Sequence, residues 1–404
     1  MTLSEELAWR GFVNQMTFTD ITELDGKPIS FYFGVDPSAD SMTIGNLAAA
    51  MMVRHFIDHG HKAYLLVGGA TGIIGDPDGK KDERNLKTLD EIAKNKAGIA
   101  AQYNQVFAGK DFTIVDNYDW FKNINFIDFL RDVGKNVPTS QMLGRDFVQS
   151  RLGDGGAGIS YAEFSYSLIQ GYDFVHLSRE YNVTLQLCGA DQWGNSLAGV
   201  DLIRRMDGKE AHVYSIPLVI NKSTGVKFGK SEGGAIWLDP RKTSVYQFYQ
   251  FWLNVDDAGV IDYAKVYTIL GKDELEALES KHQSNPGARD AQKALAHEVT
   301  TLVHGKARTE SVERVTNVLF GDLKVNALSD DDLDALAAEI PSVDAGKSVV
   351  EALILAGAAT SNGGARRLIE SGAVSVNSEK VTVDHAITAL SLLKKGKNNF
   401  ILVR

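Results

Sequence analysis

The residues that stand out chemically are cations, amides, carboxylates and glycines, with no catalytic triad among them. Lys227 and Lys230 lie three apart in the glycine-flanked loop Gly225-Val226-Lys227-Phe228-Gly229-Lys230-Ser231. Two flexible ammonium groups so placed suit a polyphosphate whose charge grows in a transition state; the plainer alternative is a solvated loop. Tyr166, Gln170 and Asp173 follow one another at spacings of four and three, which a helix brings onto one face. A phenol, an amide and a carboxylate on one stripe are costly in a core, but they make sense as the lining of a pocket for a small amphoteric ligand. The run Gly189-Ala190-Asp191-Gln192-Trp193-Gly194-Asn195 follows an apolar stretch, and Asp191 there suits ribose hydroxyls. Tyr32 to Asn46 reads as strand, small-residue turn and helix start. Backbone N–H groups at a helix start can hold an anion, and Gly34 and Gly45 let a flat ring or a phosphate approach the backbone.

Other chemistries lose support. In Gly68–Lys81 the Gly79-Lys80 pair is followed by Lys81 and position 74 is Ile, so the P-loop spacing fails; in the 225–231 loop only three residues separate the glycines. The dinucleotide fingerprint is missing from the Gly68–Gly75 turn. His55 and His59 stand four apart without a third ligand in an obvious pattern, so no metal site is expected. Cys188 in its apolar run reads as a packed small residue, and Trp120, Trp237 and Trp252 read as packing residues.

The elements that must position these groups follow from hydrophobic pattern. Apolar runs at 63–67 and 183–187 each precede a glycine turn, and a helical pattern spans 46–59. Repeated strand–turn–helix units imply a parallel sheet with helices on both faces, whose ligands bind at the strand ends. From Ser244 to about Phe320 the pattern turns helical. Residues 330–344 hold six acids and no base and read as a solvated helix plus linker. Residues 361–404 hold seven Lys/Arg against three Asp/Glu, on a chain of net charge −10. The segment 372–381 reads as a hairpin after a basic helix carrying Arg366 and Arg367; a small RNA-binding module and an ordinary α+β appendage both fit. A chain of 404 residues exceeds one compact core. One cysteine excludes a disulfide framework and points to a reducing compartment. The start lacks a signal-peptide pattern and no apolar run approaches ~20 residues, so a cytoplasmic protein without a membrane span is expected.

Taken in order, Gly75-Asp76-Pro77, Tyr166…Gln170…Asp173, Asp191-Gln192-Trp193-Gly194-Asn195 and Lys227-Phe228-Gly229-Lys230-Ser231 resemble the bacterial-type tyrosyl-tRNA synthetases over nearly the whole chain. The resemblance implies a Rossmann-type parallel-sheet catalytic domain over 1–225, with a dimer-interface insertion around 120–160. It implies the lysine loop and a helical anticodon-binding domain over 226–325, an acidic linker over 326–346, and a small α+β S-four-type RNA-binding domain over 347–404. It further implies a homodimer acting on L-tyrosine, ATP with Mg²⁺, and tRNA(Tyr). Tyr32 and Asp173 would hold the tyrosine phenol, and Asp76, Tyr166 and Gln170 its ammonium. Gln186 and Gln192 would lie near the carboxylate and α-carbon. Gly34, Asp36, Gly45, Asn46, Gly189 and Asp191 would contact the nucleotide, and Lys80, Arg84, Lys227 and Lys230 would embrace the pyrophosphate. The implied chemistry is attack of the tyrosine carboxylate on the α-phosphate, then acyl transfer to the terminal ribose of the tRNA. Such a reaction needs positioning and charge stabilisation rather than a nucleophilic side chain.

One signature position departs from the family. Where a histidine usually opens the nucleotide-binding motif, this chain reads Thr43-Ile44-Gly45-Asn46. Threonine is shorter and neutral, and losing one transition-state donor costs roughly 3–4 kcal/mol, so either activation is reduced or Lys80, Arg84 or the Lys227 loop compensates. Ser38 keeps a hydroxyl nearby, and Phe33 replaces a residue that is often small. Two rivals remain: a non-catalytic, synthetase-like RNA-binding protein, which Lys227 and Lys230 disfavour, and a tryptophan-specific relative, which Tyr32 and Asp173 disfavour.

Overall fold

Runs of apolar residues covered on both sides form the central strands, as expected for parallel strands buried on two faces. The computed structural model describes the chain apart from residues 78–85, 154–155, 157 and 232–233 and the side chains at 146, 147, 230 and 231. Chain order begins α1 (Leu3–Arg10), β1 (Gln15–Met16), β2 (Ser30–Val35), α2 (Ile44–Asp58), β3 (Lys62–Val67), α3 (Gly69–Ile74), α4 (Leu89–Val106) and β4 (Phe112–Asp116). Next come α5 (Tyr118–Phe121), α6 (Phe126–Asp132), α7 (Thr139–Leu143), α8 (Asp146–Leu152), α9 (Tyr161–Tyr181), β5 (Leu185–Gly189), α10 (Trp193–Asp207) and β6 (His212–Ile216). A short ladder, β7 (Lys230–Ser231) with β8 (Gly234–Ala235), precedes α11 (Val245–Leu253), α12 (Val260–Tyr267), α13 (Lys272–Ser284), α14 (Asp290–His304) and α15 (Lys306–Phe320). The last segment holds α16 (Asp330–Glu339), β9 (Ser342–Val343), α17 (Val349–Leu355), α18 (Asn362–Glu370), β10 (Val374–Val376), β11 (Glu379–Lys380), β12 (Ser391–Lys395) and β13 (Asn399–Val403).

The chain forms two compact units, one of residues 1–243 with 252–299 and one of 244–251 with 300–404. The first is built on a six-stranded sheet in the order β1-β6-β5-β2-β3-β4. All neighbours are parallel except β1, which runs antiparallel to β6. From β2 the chain moves outward through β3 and β4, then returns through the 117–182 segment to place β5 on the other side of β2. Such a reversal leaves a crevice at the carboxyl ends of the two central strands. Tyr32 on β2 stands in register with Gln186 on β5, so both side chains share one face. The β5 strand begins two residues later than its apolar run: Asn182 closes α9 in a left-handed conformation (φ 55°), and the Val183 N–H still bonds Leu177 O at 3.3 Å.

The observed units do not divide near residue 225. The segment after the lysine loop is stitched to the start of α2, with the Ile44 N–H donating to Ile236 O at 3.1 Å and the Leu238 N–H to Met42 O at 2.9 Å. Residues 226–243 therefore fold with the sheet.

In the second unit β11-β10-β12-β13-β9 form a five-stranded sheet. The hairpin expected at 372–381 is present; Asn377 (φ 50°) and Ser378 (φ 72°) make its two-residue turn, with both positions left-handed as such turns require. The expected acidic linker over 326–346 is corrected to folded structure. Leu333 and Leu336 of α16 share a core cluster with Phe400 and Leu402. Asp332 is buried and accepts from Arg314 and Ser311, and β9 pairs with β13. The acids that dominate the composition lie mainly on the outer face of α16; its apolar positions do the packing.

Candidate active site

The carboxyl ends of β2 and β5, together with α3, α9 and the turn before α10, bring the polar residues of the sequence into one crevice. At its deep end the Tyr32 side chain is 2% exposed and its hydroxyl has no hydrogen-bond partner. Burial, then the neighbouring Asp173, push that phenol well above its ordinary pKa, so it is a neutral O–H. Asp173, on α9 and 1% exposed, accepts from Asn117 Nδ2 and Trp120 Nε1, each at 3.0 Å. Its carboxyl is raised by burial, while these two donors pull the other way. A buried hydroxyl without a partner costs free energy; beside a carboxylate it is a place prepared for one more hydroxyl.

One layer up lie Tyr166, Gln170, Asp76 and Gln192. Gln192 donates through Nε2 to Asp76 Oδ2 at 2.6 Å. Its Oε1 accepts from Asn195 Nδ2 at 3.3 Å and Gln170 Nε2 at 3.5 Å. Gln170 Oε1 is buried with no partner. Two acceptors, the Gln170 amide oxygen and the Asp76 carboxylate, thus gather where an ammonium group would need them. The Tyr166 hydroxyl donates to Asp36 Oδ2 at 2.7 Å, and Thr71 donates to Asp36 Oδ1 at 2.6 Å. This packing fixes Gly68, where a Cβ would come within 2.2 Å of both Asp36 Oδ1 and Thr71 Oγ1.

The outer rim carries the nucleotide candidates. Gly34, Ser38, Gly45 and Asp191 are exposed. Gln186 is buried on β5 beneath them. Thr43 caps α2, and its backbone N–H and hydroxyl both donate to Asn46 Oδ1, at 2.9 and 3.0 Å. Gly189 precedes Asp191 so closely that a Cβ would sit 2.6 Å from Asp191 Oδ1. Lys227 reaches back to Asp191 at 3.5 Å, a pair about half exposed on both sides and therefore weak. Gly229 (φ 98°) lets the loop lie against α2, where a Cβ would meet Ile44 Cγ1 at 2.9 Å. Lys80, Arg84 and the side chain of Lys230 lie outside the described residues.

Comparison with known proteins agrees with the pattern of this crevice. Residues 24–321 match the family described as tRNA synthetases class I (W and Y), and residues 332–404 match the tyrosine–tRNA ligase SYY-like C-terminal domain. The tyrosine–tRNA ligase of Staphylococcus haemolyticus is 44% identical over 419 residues, covering 99% of this chain and 98% of that protein. The chain belongs to the bacterial-type tyrosine–tRNA ligase family. Tyrosine–tRNA ligase 2 of Bacillus cereus is likewise 44% identical, over 100% of this chain and 99% of that protein. Among solved structures, a C-terminally truncated mitochondrial tyrosyl-tRNA synthetase of Aspergillus nidulans superposes with a TM-score of 0.71 at 29% identity, covering 79% of this chain and 94% of that one.

For a member of this family, several residues of the crevice carried no readable signal in the sequence. Asn117 and Trp120 hold Asp173, and Asn117 Nδ2 also donates to Thr71 Oγ1 at 3.0 Å; Trp120 was expected only to pack. Asn117 lies 56 residues from Asp173, so no spacing rule joins them. Arg145, from the return segment, donates to Asn195 Oδ1 at 2.5 Å and Gly194 O at 2.8 Å. It too lacked any local pattern.

Proposed function

We propose that this tyrosine–tRNA ligase family member activates L-tyrosine with ATP and transfers it to tRNA(Tyr), through the crevice between β2 and β5. The observation that carries the tyrosine specificity is the buried, partnerless Tyr32 hydroxyl beside Asp173. A substrate phenol accepts from Tyr32 and donates to Asp173; phenylalanine leaves the Tyr32 hydroxyl unpaired and gives the buried Asp173 no further donor, a form of discrimination whose standard example is this same enzyme family. Asp76, Gln170 Oε1 and the Tyr166 hydroxyl, whose oxygen can accept while its proton goes to Asp36, take the ammonium group, and Gln186 and Gln192 flank the carboxylate. Gly34, Asp36, Gly45, Asn46, Gly189 and Asp191 form the nucleotide's side. With both substrates held, the tyrosine carboxylate attacks the α-phosphate in line, the bond to the leaving oxygen breaks, and pyrophosphate departs. Lys227, Lys230, Lys80 and Arg84, with Ser38 and Thr43, balance its charge. Lys227 leaves its weak pair with Asp191 for the phosphates. The adenylate then passes its acyl group to the terminal ribose hydroxyl of the tRNA.

Mg²⁺ enters with the nucleotide, since it takes substrate phosphates and water with few protein carboxylates; among the described residues no cluster of three His, Cys, Asp or Glu forms a resident site. The helical region contacts the anticodon end of the tRNA, and the basic C-terminal unit adds RNA contacts. A second copy covers the apolar groove of about 270 Å³ between α6 and α9, lined by Phe121, Phe126, Phe129 and Tyr161, where Phe126 is 61% and neighbouring Ile127 66% exposed; sedimentation of the full chain reads this directly. No helix among the described residues is long and apolar enough to cross a membrane, and we place the reaction in the cytoplasm.

Tyrosine-dependent ATP–pyrophosphate exchange is the test, with tryptophan and phenylalanine as competitors. Exchange driven by tyrosine is the expected result. Absent exchange with intact tRNA binding would turn the reading to an RNA-binding protein, and exchange driven by tryptophan would overturn the phenol assignment.

A further inference from the structure

We propose that Arg145 is a positioning residue that orients the amino-acid ammonium site through Asn195 and Gln192. The proposal rests on the reading of the crevice given above. Arg145 caps the start of α8, on the segment that leaves β4 and returns to α9. It reaches the first turn of α10 by two bonds, to Asn195 Oδ1 at 2.5 Å and to Gly194 O at 2.8 Å. A guanidinium can only donate. It therefore decides which end of the Asn195 amide faces it: the oxygen must, and the NH₂ must face the other way. That NH₂ donates to Gln192 Oε1 at 3.3 Å. Asn195 is 4% exposed, so a reversed amide would find no water to repair the mismatch.

The same logic continues inward. With its Oε1 turned to Asn195, Gln192 must present Nε2 to Asp76 Oδ2, at 2.6 Å. Gln192 Oε1 also receives Gln170 Nε2 at 3.5 Å, which leaves Gln170 Oε1 as the buried, partnerless acceptor. The row of amides is thus fixed at both ends, by the Arg145 cation at Asn195 and by the Asp76 carboxylate at Gln192. Without Arg145 the Asn195 amide can turn its oxygen toward Gln192 Oε1. Gln192 cannot reverse to match, because Asp76 holds its Nε2, so it is pushed aside and disturbs the Asp76 and Gln170 acceptors of the ammonium group.

Two probes isolate that end of the substrate: L-tyrosinol, which has the ammonium and no carboxylate, and 3-(4-hydroxyphenyl)propionate, which has the carboxylate and no ammonium. Calorimetric binding to the full chain is compared for wild type, Arg145→Ala, Arg145→Lys and Asn195→Asp. Arg145→Ala should weaken tyrosine and tyrosinol about tenfold, the size of one hydrogen bond to a charged group. It should weaken 3-(4-hydroxyphenyl)propionate less, since Gln186 still flanks the carboxylate, and leave the KM for ATP within about twofold. Lysine, with a point charge in place of the fork, should fall between. Asn195→Asp keeps a partner for Arg145 but lacks the NH₂ for Gln192, so it should reproduce the loss in a chain whose Arg145 is intact. Arg145→Ala and Asn195→Ala combined should lose no more than either alone. Equal weakening of both probes, or losses that multiply, would overturn the relay while leaving the ligase reading in place. A wild-type chain that bound neither tyrosine nor tyrosinol would overturn both.

Discussion

At the scale of single residues, function here has a visible stability cost. Tyr32 is a large side chain buried in the core of the first unit, and its hydroxyl is unsatisfied until a ligand arrives. Tyr32→Phe removes that hydroxyl and keeps the ring in its packing. The variant should be more stable than wild type by about 1 kcal/mol, measured by thermal or urea unfolding without substrate. It should also lose about tenfold in the ratio of kcat/KM for tyrosine over phenylalanine. A destabilised variant with unchanged selectivity would mean that the hydroxyl has a structural partner and no role in recognition.

At the scale of elements, α1 is held to its neighbours by a charge cluster that acid should release. Arg10 donates to Glu6 at 2.9 Å and to the carbonyls of Lys265 in the last turn of α12 and of Thr268 and Leu270 just after it. His55 of α2 lies 3.2 Å from Glu6, and His59 lies 3.6 Å from it. The His55 hydrogen bond first, with help from Arg10, lowers the Glu6 carboxyl from 4.5 to about 2; burial lowers His55 from its ordinary value. A carboxyl depressed in the folded state gives stability that is complete above pH 4.5 and disappears as pH falls through 2. The full shift corresponds to about 3 kcal/mol. A histidine kept neutral by burial loses ground in the same direction, because the unfolded chain takes up its proton first. The thermal midpoint should therefore fall from pH 5 to pH 3, and Glu6→Gln should flatten that slope while lowering the midpoint at pH 7. Parallel pH profiles would exclude Glu6 as the group responsible.

For the whole molecule, the two units divide the proposed labour. The residues proposed for adenylate formation all belong to the first unit, whereas the basic C-terminal residues belong to the second. Deleting 347–404 should spare pyrophosphate exchange within about threefold and lower tRNA charging at limiting tRNA by tenfold or more, the scale of a few lost phosphate contacts. The deletion also removes Phe400 and Leu402 from the cluster with Leu333 and Leu336, so the remaining part of the second unit should become sensitive to protease. Undiminished charging would assign the C-terminal segment another task.

The sequence by itself determined the parallel-sheet architecture, because buried parallel strands, glycine turns and helical periodicity are local patterns. It also displayed Tyr166, Gln170 and Asp173, whose spacing lies within one helix, and the two long motifs, while Tyr32 and Asp76 came from the family resemblance. Only the tertiary structure decided how they work together. That Tyr166 serves Asp36, that Asn117 and Trp120 hold Asp173, and that Arg145 governs Asn195 depend on contacts between residues 50 or more apart in the chain. The acidic stretch at 326–346 misled for the same reason. Its net charge is a property of composition, but its fold rests on two leucines, and a buried aspartate whose partners Ser311 and Arg314 lie on another helix. Periodicity records which face of an element is apolar, and the pairing of that face with another is settled only when the chain packs.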